Sequence, residues 1–198
     1  MPVPGINYYV LLIWLLFFAY WTSSAIYDFL SGKYKKIEKL PSFARVGVDR
    51  ITLGLAIVIV VTTPLNGFYP FSVIILQSSA ATTYFGLGLG LLGVLFAIWA
   101  RRTLGGNWSS DVVLKKGHTL TTNGPYAIVR NPIYSGVTLG IVGSAISVGY
   151  ASGLVAIASV LIFSYSRINA ENKLMEQRFG KEFDKYRKKV KAFIPWLI

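Results

Sequence analysis

The chain has 198 residues, enough for one domain. Of these, 54% are hydrophobic and only 14% are charged, well below the roughly 25% charged residues of soluble domains. The net charge of +12 does not indicate a nucleic-acid-binding protein, because the basic residues flank long apolar segments, as they do at the cytoplasmic ends of membrane helices. Since there is no Cys and His118 is the only His, disulfides, thiolate chemistry and a multi-histidine metal site are excluded.

Five apolar segments approach the roughly 20 residues that a membrane-spanning helix needs. They predict an all-α polytopic membrane bundle of about five transmembrane helices, in a single domain over residues 1–198. No strand signal accompanies them, and the first segment is long enough to be retained rather than cleaved as a signal peptide. Phe71–Leu76 either extends the third helix backward or lies at the membrane interface. The predicted spans are Tyr8–Leu30, Val48–Leu65, Tyr84–Ala100, Ile133–Val148 and Ala151–Ser166.

Small residues at helical spacing predict close packing between spans. Gly136, Gly140 and Ser144 share one face of the fourth span, and Gly149-Tyr150 joins the last two spans so tightly that they form a helical hairpin. Gly88–Gly93 formally matches the dinucleotide-binding pattern G-x-G-x-x-G. No strand precedes it and it lies inside a span, so we interpret it as a packing face that includes Gly86 and Gly90.

The positions of Lys and Arg predict the orientation of the chain. Six lie between Lys33 and Arg50, five between Arg101 and Arg130, and nine between Arg167 and Lys191, which accounts for all twenty. The segments 1–27, 62–84 and 149–152 carry no charge. Since Lys and Arg are retained in the cytoplasm, five spans with the N-terminus outside and the C-terminus in the cytoplasm satisfy the whole pattern.

The first polar segment, Arg101 to Tyr134, is rich in turn residues. Asn123-Gly124-Pro125 is a turn signal, and Asn131-Pro132 opens the fourth helix with Pro in its first turn. The free N–H groups at such a helix start attract carboxylates and phosphates, and Arg130 stands beside them. The pattern fits an anion or cofactor site, and it equally fits an ordinary helix cap next to lipid headgroups.

The second polar segment follows the last span. Arg167 and Glu171 are four residues apart and therefore lie on one helix face, as a surface ion pair or as a cation and an anion presented to a polar ligand. Gly180 is predicted to end this helix. The basic and aromatic stretch from Arg187 to Trp196 is typical of a tail at the lipid headgroups.

Together the two polar segments resemble the isoprenylcysteine carboxyl methyltransferase family. The similarity covers about half of the chain, from Arg101 onward, and the Leu104–Ser109 run resembles the family's stretch before its cofactor loop. The sequence departs from the family pattern at two positions, where Asn131 replaces a His and Asn172 replaces an acidic residue. The matching residues are His118, Thr119, Leu120, Thr122, Gly124, Tyr126, Arg130, Pro132, Tyr134, Arg167, Glu171, Leu174, Phe179 and Gly180.

The resemblance implies an integral membrane methyltransferase that uses S-adenosyl-L-methionine. It implies Arg167 as the catalytic contact with the acceptor, which is a lipophilic molecule entering from the bilayer, such as an isoprenylated cysteine carboxylate. It also implies a cytoplasmic cofactor loop, with membrane lipids as partners and neither nucleic acid nor metal. The implied cofactor-binding residues are His118, Thr119, Leu120, Thr121, Tyr126, Arg130, Asn131, Pro132, Ile133, Tyr134 and Glu171.

Three other functions remain open from the sequence. The same cofactor could serve a phospholipid amine, a thiol or a small lipophilic acid. A sterol-type membrane reductase using NADPH has a similar C-terminal arrangement, although such enzymes are much longer. A non-enzymatic membrane scaffold is the fourth reading. The absence of a charged residue at the centre of any span counts against a transporter.

Overall fold

A computed structural model describes residues 5–31, 37–39, 73–76, 79–109 and 112–195. The described residues form the helices α1 (Ile6–Leu30), α2 (Ala80–Leu104), α3 (Pro132–Val148), α4 (Ser152–Phe179) and α5 (Lys181–Lys189), the strands β1 (Ile37–Lys39) and β2 (Leu114–Lys115), and short 3-10 turns at Gly105–Asn107 and Gly124–Ala127. The predicted all-α membrane bundle is confirmed. The predicted span Val48–Leu65 lies outside the described residues, so the number of five spans stays a prediction.

Among the described residues, three helices are long and apolar enough to cross a membrane: Tyr8–Leu30, Ala80–Asn107 and Ser152–Phe179. The chain is therefore an integral membrane protein. The helix α3 has 17 residues, about 26 Å at 1.5 Å per residue, and is shorter than its neighbours. The helix α4 continues without a break beyond the predicted end of the last span at Ser166, which carries one continuous helix from the apolar region to the polar one.

Glycines allow α2 and α3 to approach each other at backbone distance. A Cβ atom on Gly86 would lie 2.5 Å from Ser147 Oγ, and one on Gly136 would lie 2.6 Å from the Gly93 carbonyl oxygen. A Cβ atom on Gly143 would likewise clash with the backbone of Gly90. The predicted packing of the Gly86 face is confirmed, and its partner on α3 is the stripe through Gly136 and Gly143.

The other small residues predicted on α3 also contact α1. Gly140 lies 3.4 Å, measured from an added Cβ, from the ring of Trp14 on α1. Ser144 Oγ accepts a hydrogen bond from Trp14 Nε1 at 3.1 Å. Gly140 also packs against α2, because a Cβ atom on Gly93 would clash with the backbone nitrogen of Gly140. The predicted stripe therefore contacts both α1 and α2.

We expect Gly93→Ala to loosen the α2–α3 contact. Its Cβ would lie 2.6 Å from the Gly136 carbonyl oxygen, which is backbone and cannot rotate away. Overpacking of this kind lowers the free energy of unfolding by about 1–3 kcal/mol. Thermal unfolding in detergent measures it. Gly90→Ala is the matched control, since its Cβ would meet only ordinary contacts at 3.5 Å or more. Equal melting temperatures for both variants would contradict the close packing.

The predicted hairpin between α3 and α4 is confirmed. Gly149 ends α3 with a φ angle of 75 degrees, a left-handed conformation that favours glycine. Its carbonyl oxygen accepts hydrogen bonds from the N–H groups of Ile75 and Leu76, and Ala151 N–H donates to Val73 O. The segment 73–76 therefore pairs with the hairpin turn and does not extend α2, which begins after a capping box of Ser79 and Thr82.

The opposite end of the bundle is held by a buried ion pair. Arg101 Nη2 on α2 donates to Asp28 Oδ2 on α1 at 2.5 Å, and the Arg101 guanidinium lies 4.2 Å from the Trp108 ring centroid.

The strand β1 pairs antiparallel with β2. The sequence carried no strand signal for this short ribbon, because two or three residues are too few to show an alternating pattern. Gly180, at φ 46 degrees, ends α4 as predicted.

Candidate functional site

A cavity of about 550 Å³ lies at this end of the bundle, within the roughly 300–1,000 Å³ typical of small-molecule sites. It is enclosed by α1, the segment after α2, the start of α3, α4 and α5. The lining residues are Phe17, Phe18, Trp21, Leu104, Asn107, Trp108, Ser109, Val112, Val113, His118, Thr119, Leu120, Thr121, Tyr126, Arg130, Asn131, Ile133, Tyr134, Val137, Val160, Phe163, Ser164, Arg167, Glu171, Asn172, Leu174, Met175, Phe183 and Tyr186.

The two polar segments singled out in the sequence meet in this cavity. Every residue predicted at the site lines it, with the exception of Pro132. Pro132 is fully buried at the first position of α3, where its ring sets the direction of the helix start. The 118–134 segment and the pair Arg167 and Glu171, which are far apart in the sequence, thus line one cavity.

Tyr134 links the two charged residues of α4. Its hydroxyl donates to Glu171 Oε1 at 2.5 Å, and Arg167 Nε donates to the Tyr134 oxygen at 3.4 Å. Arg167 Nη2 lies 3.9 Å from Glu171 Oε1, so the pair is an ion pair at the limit of direct contact. Arg167 is buried while Glu171 is about one-third exposed. A carboxylate and a guanidinium thus face one cavity side by side, with a phenol between them.

The 118–121 segment is positioned by the end of α2. Asn107 Nδ2, in the 3-10 turn that follows α2, donates to Thr119 Oγ1 at 3.0 Å. The His118 ring lies 6.1 Å from the ring of Phe179 near the end of α4. The Leu104–Ser109 run, noted in the sequence only for its likeness to a family stretch, therefore supports the loop that carries His118.

The C-terminal segment supports the wall that is formed by the start of α3. The N–H groups of Arg130 and Asn131 donate to the carbonyl oxygens of Lys191 at 2.8 Å and Ala192 at 3.0 Å. Asn131 Nδ2 also donates to Ala192 O at 2.8 Å, and Ser135 Oγ donates to Phe193 O at 2.6 Å. The residues 191–193, predicted from the sequence as a headgroup-associated tail, thus hold the start of α3. The Asn131 amide makes this contact where the related family pattern has a His.

Arg130 reaches from this wall toward α4. Its Nη1 donates to Asn172 Oδ1 at 3.2 Å, and its guanidinium lies 5.6 Å from the Phe183 ring centroid. Arg130 Nε has no hydrogen-bond partner among the described residues. Burial lowers the pKa of Arg130, yet the guanidinium keeps its charge at neutral pH because its ordinary pKa is very high. It remains a cation with an unused donor beside the cavity.

Tyr126 is buried in the 3-10 turn before α3. Tyr186 of α5 donates to its carbonyl oxygen at 2.5 Å, which fixes this turn against α5. Burial raises the pKa of the Tyr126 phenol well above its usual range, and the nearby Glu171 carboxylate adds to this effect. The phenol is therefore protonated at any physiological pH and presents a neutral aromatic ring to the cavity.

One side of the cavity is apolar, and no pattern in the sequence identified the residues that form it. Phe17, Phe18 and Trp21 of α1 line it together with Trp108, whose ring stands edge-on to Trp21 at 5.5 Å between centroids. Val137 and Val160 close this side from α3 and α4. Because α1 is apolar on all faces, periodicity could not single out its inward residues.

Comparison with known proteins places the chain in a family. The sequence model described as phospholipid methyltransferase matches residues 81–182. The chain is 32% identical over 117 residues to the cobalt-zinc-cadmium resistance protein CzcN of Cupriavidus metallidurans, covering 56% of this chain and 50% of that protein. It is 30% identical over 118 residues to a probable protein-S-isoprenylcysteine O-methyltransferase of Oryza sativa subsp. japonica, covering 58% and 62%.

A third relative is the protein-S-isoprenylcysteine O-methyltransferase of Schizosaccharomyces pombe, 34% identical over 112 residues, which are 55% of this chain and 48% of that protein. The chain spans about half the length of the curated relatives it matches. The family match begins in α2, ends in α5 and contains all the predicted site residues. Since it covers just over half of the 198 residues, the chain belongs to the phospholipid methyltransferase family.

Proposed function

We propose that this protein transfers a methyl group from S-adenosyl-L-methionine to a lipophilic acceptor, with the carboxylate of an isoprenylated cysteine or a similar lipid-linked acid as the preferred acceptor. The observation that carries the proposal is a single cavity that combines a polar end, with Glu171, Arg167 and Arg130, and an apolar end, with Phe17 and Trp21. A reaction between a polar cofactor and a lipid needs such a two-sided site.

The polar end suits the proposed cofactor. When bound, S-adenosylmethionine supplies an electrophilic methyl group on a sulfonium. Glu171 would pair with the ammonium of its methionine part, and the cation of Arg130 with the start of α3 would hold its carboxylate. The rings of Tyr126 and Tyr134 offer faces to a positive sulfur. The proposed cofactor residues are His118, Thr119, Leu120, Thr121, Tyr126, Arg130, Asn131, Pro132, Ile133, Tyr134 and Glu171.

Arg167 is the proposed contact for the acceptor. Its guanidinium is buried and close to Glu171, so an acceptor carboxylate bound to it would stand next to the cofactor. Such a carboxylate is already ionised near neutral pH and needs no general base. The contribution of the protein is then to orient two bound molecules and to exclude water from the cavity.

A phospholipid amine is the second candidate acceptor, and the description of the matched family favours it. An ammonium group must lose a proton before it can accept a methyl group, so this reaction needs a base in the cavity. His118 is the only imidazole of the chain, and it lines the cavity. The two acceptors therefore differ in their dependence on His118.

Transfer of labelled methyl from the cofactor tests the proposal. Purified protein in lipid nanodiscs is offered N-acetyl-S-farnesylcysteine, a fatty acid and phosphatidylethanolamine. We expect label in a base-labile methyl ester of the farnesylated acid. Label in the phospholipid amine alone would replace the first proposal by the second. Saturable binding of NADPH without binding of S-adenosylhomocysteine would favour a reductase, and binding of neither would favour a scaffold.

We further propose that the cavity opens to the cytoplasm and that the N-terminus lies outside, because the basic residues from Arg101 to Arg130 and from Arg167 to Lys191 belong to the segments that surround the cavity. The chain has no Cys, so single cysteines report on orientation directly. In intact cells, an impermeant maleimide should label Val73→Cys near the hairpin turn and should label Lys181→Cys only after permeabilisation. The reverse pattern would contradict the orientation.

A further inference from the structure

Ser164 of α4 differs from Ser144 and Ser147, two other buried serines of the helical bundle. Its side chain is 2% exposed and lines the cavity, yet its Oγ has no hydrogen-bond partner among the described residues. Serines in helices usually bond back to the carbonyl four residues earlier. Ser144 Oγ does so with Gly140 O at 2.8 Å and Ser147 Oγ with Gly143 O at 3.0 Å.

A buried hydroxyl without a partner destabilises a protein, so its presence in a cavity points to a partner that arrives with a ligand. Thr83 and Thr138 also have buried, unpartnered hydroxyls, but neither lines the cavity. Of these three residues, only Ser164 belongs to the cavity lining. This distinction makes Thr138 a suitable reference for the role of Ser164.

The position of Ser164 identifies which molecule it meets. It precedes Arg167 by three residues on the same helix face, which places it about 4.5 Å nearer the apolar part of α4. Val160 and Phe163, also cavity-lining, are its neighbours on that side. Ser164 thus stands between the guanidinium proposed for the acceptor carboxylate and the wall proposed for the hydrocarbon chain.

We propose that Ser164 is a specificity-determining residue that donates a hydrogen bond to an oxygen atom that the acceptor carries close to its carboxylate. This inference rests on the proposed function. The preferred acceptor is then a lipid-linked N-acylated amino acid, whose amide nitrogen is bonded to the same carbon atom as the carboxylate. A plain fatty acid or thioether acid has no oxygen at that position and gains nothing from Ser164.

Two farnesylated acids separate these cases. N-acetyl-S-farnesylcysteine and S-farnesylthiopropionic acid share the chain, the thioether and the carboxylate, and only the first has an acetamido group. The dissociation constant is measured through quenching of tryptophan fluorescence, since Trp21 and Trp108 line the cavity. We expect Ser164→Ala to weaken binding of the acetamido acid about three- to tenfold and to leave binding of the other acid unchanged.

Further variants distinguish this role from a structural one. Ser164→Thr keeps the hydroxyl and should retain the preference for the acetamido acid, while Thr138→Val should bind both acids like the wild type. The preference should appear in KM during turnover and leave kcat unchanged. Equal weakening of both acids, no weakening of either, or no binding of either acid to the wild type would each overturn the role of Ser164.

The same measurements separate this inference from the proposed function. Binding that depends on Ser164, without methyl transfer, would leave the specificity role standing and reject the methyltransferase proposal. Methyl transfer to both acids with identical kinetics in the wild type and in Ser164→Ala would reject the specificity role and leave the methyltransferase proposal standing.

Discussion

Replacement of Glu171 by Gln weakens S-adenosylhomocysteine binding about 10- to 100-fold in our expectation. The amide removes the charge that would pair with the ligand ammonium, and a hydrogen bond to a charged group contributes about 1.5–3 kcal/mol. The Gln oxygen can still accept the hydrogen bond from Tyr134, so the contact between α3 and α4 is preserved. Isothermal titration calorimetry in detergent measures the affinity.

Glu176→Gln is the matched control for this experiment. Glu176 lies on the same helix, where its carboxylate pairs with Arg187 outside the cavity lining. We expect its variant to bind S-adenosylhomocysteine with the affinity of the wild type. Equal affinities for Glu171→Gln and the wild type would remove Glu171 from the cofactor site.

Replacement of Arg167 by Ala is expected to lower kcat/KM for the acceptor on the order of a hundredfold, because the acceptor carboxylate loses its orienting cation. The affinity for S-adenosylhomocysteine should not fall. The Arg167 guanidinium lies 3.9 Å from Glu171 and offsets part of its negative potential. Removal of Arg167 therefore strengthens the attraction between the Glu171 carboxylate and the ligand ammonium. Initial rates with a farnesylated acid and calorimetry on the same preparation give both quantities.

Two further variants sharpen the Arg167 experiment. Arg167→Lys keeps the charge but loses the planar donor pair, so we expect it to recover only part of the rate. Arg178→Ala, on the same helix but outside the cavity lining, should keep the rate of the wild type. A parallel loss of cofactor affinity and rate in Arg167→Ala would indicate that Arg167 serves the cofactor instead of the acceptor.

The parts of the fold that the sequence predicted are those set by local rules. Gly149 and Gly180 end helices through left-handed or related backbone conformations, and Asn131-Pro132 starts one. Arg167 and Glu171 lie on one face of α4 because they are four residues apart. Such features need no knowledge of distant partners, whereas the grouping of the 118–134 segment with Arg167 and Glu171 at one site was implied by the family resemblance.

The parts that escaped prediction depend on residues far apart in the sequence. Asp28 is a single acid at the end of an apolar helix, and only the approach of α1 to α2 shows that Arg101 is its partner. The lack of a hydrogen-bond partner for the buried Ser164 hydroxyl is visible only when its neighbours in the fold are known. The anchoring of Asn131 by the backbone of Ala192 leaves no trace in residue types, because carbonyl groups are common to all residues.

The contact of residues 191–193 with the start of α3 has a consequence for biosynthesis. The ribosome makes the helices α1 to α4 first, and they can enter the membrane before the carbonyl groups that hold Arg130 and Asn131 exist. The start of α3, which lines the cavity through Asn131, therefore gains these contacts only after residue 193 has emerged from the exit tunnel. A nascent chain stalled before this point would be inserted with this edge of the cavity unsupported.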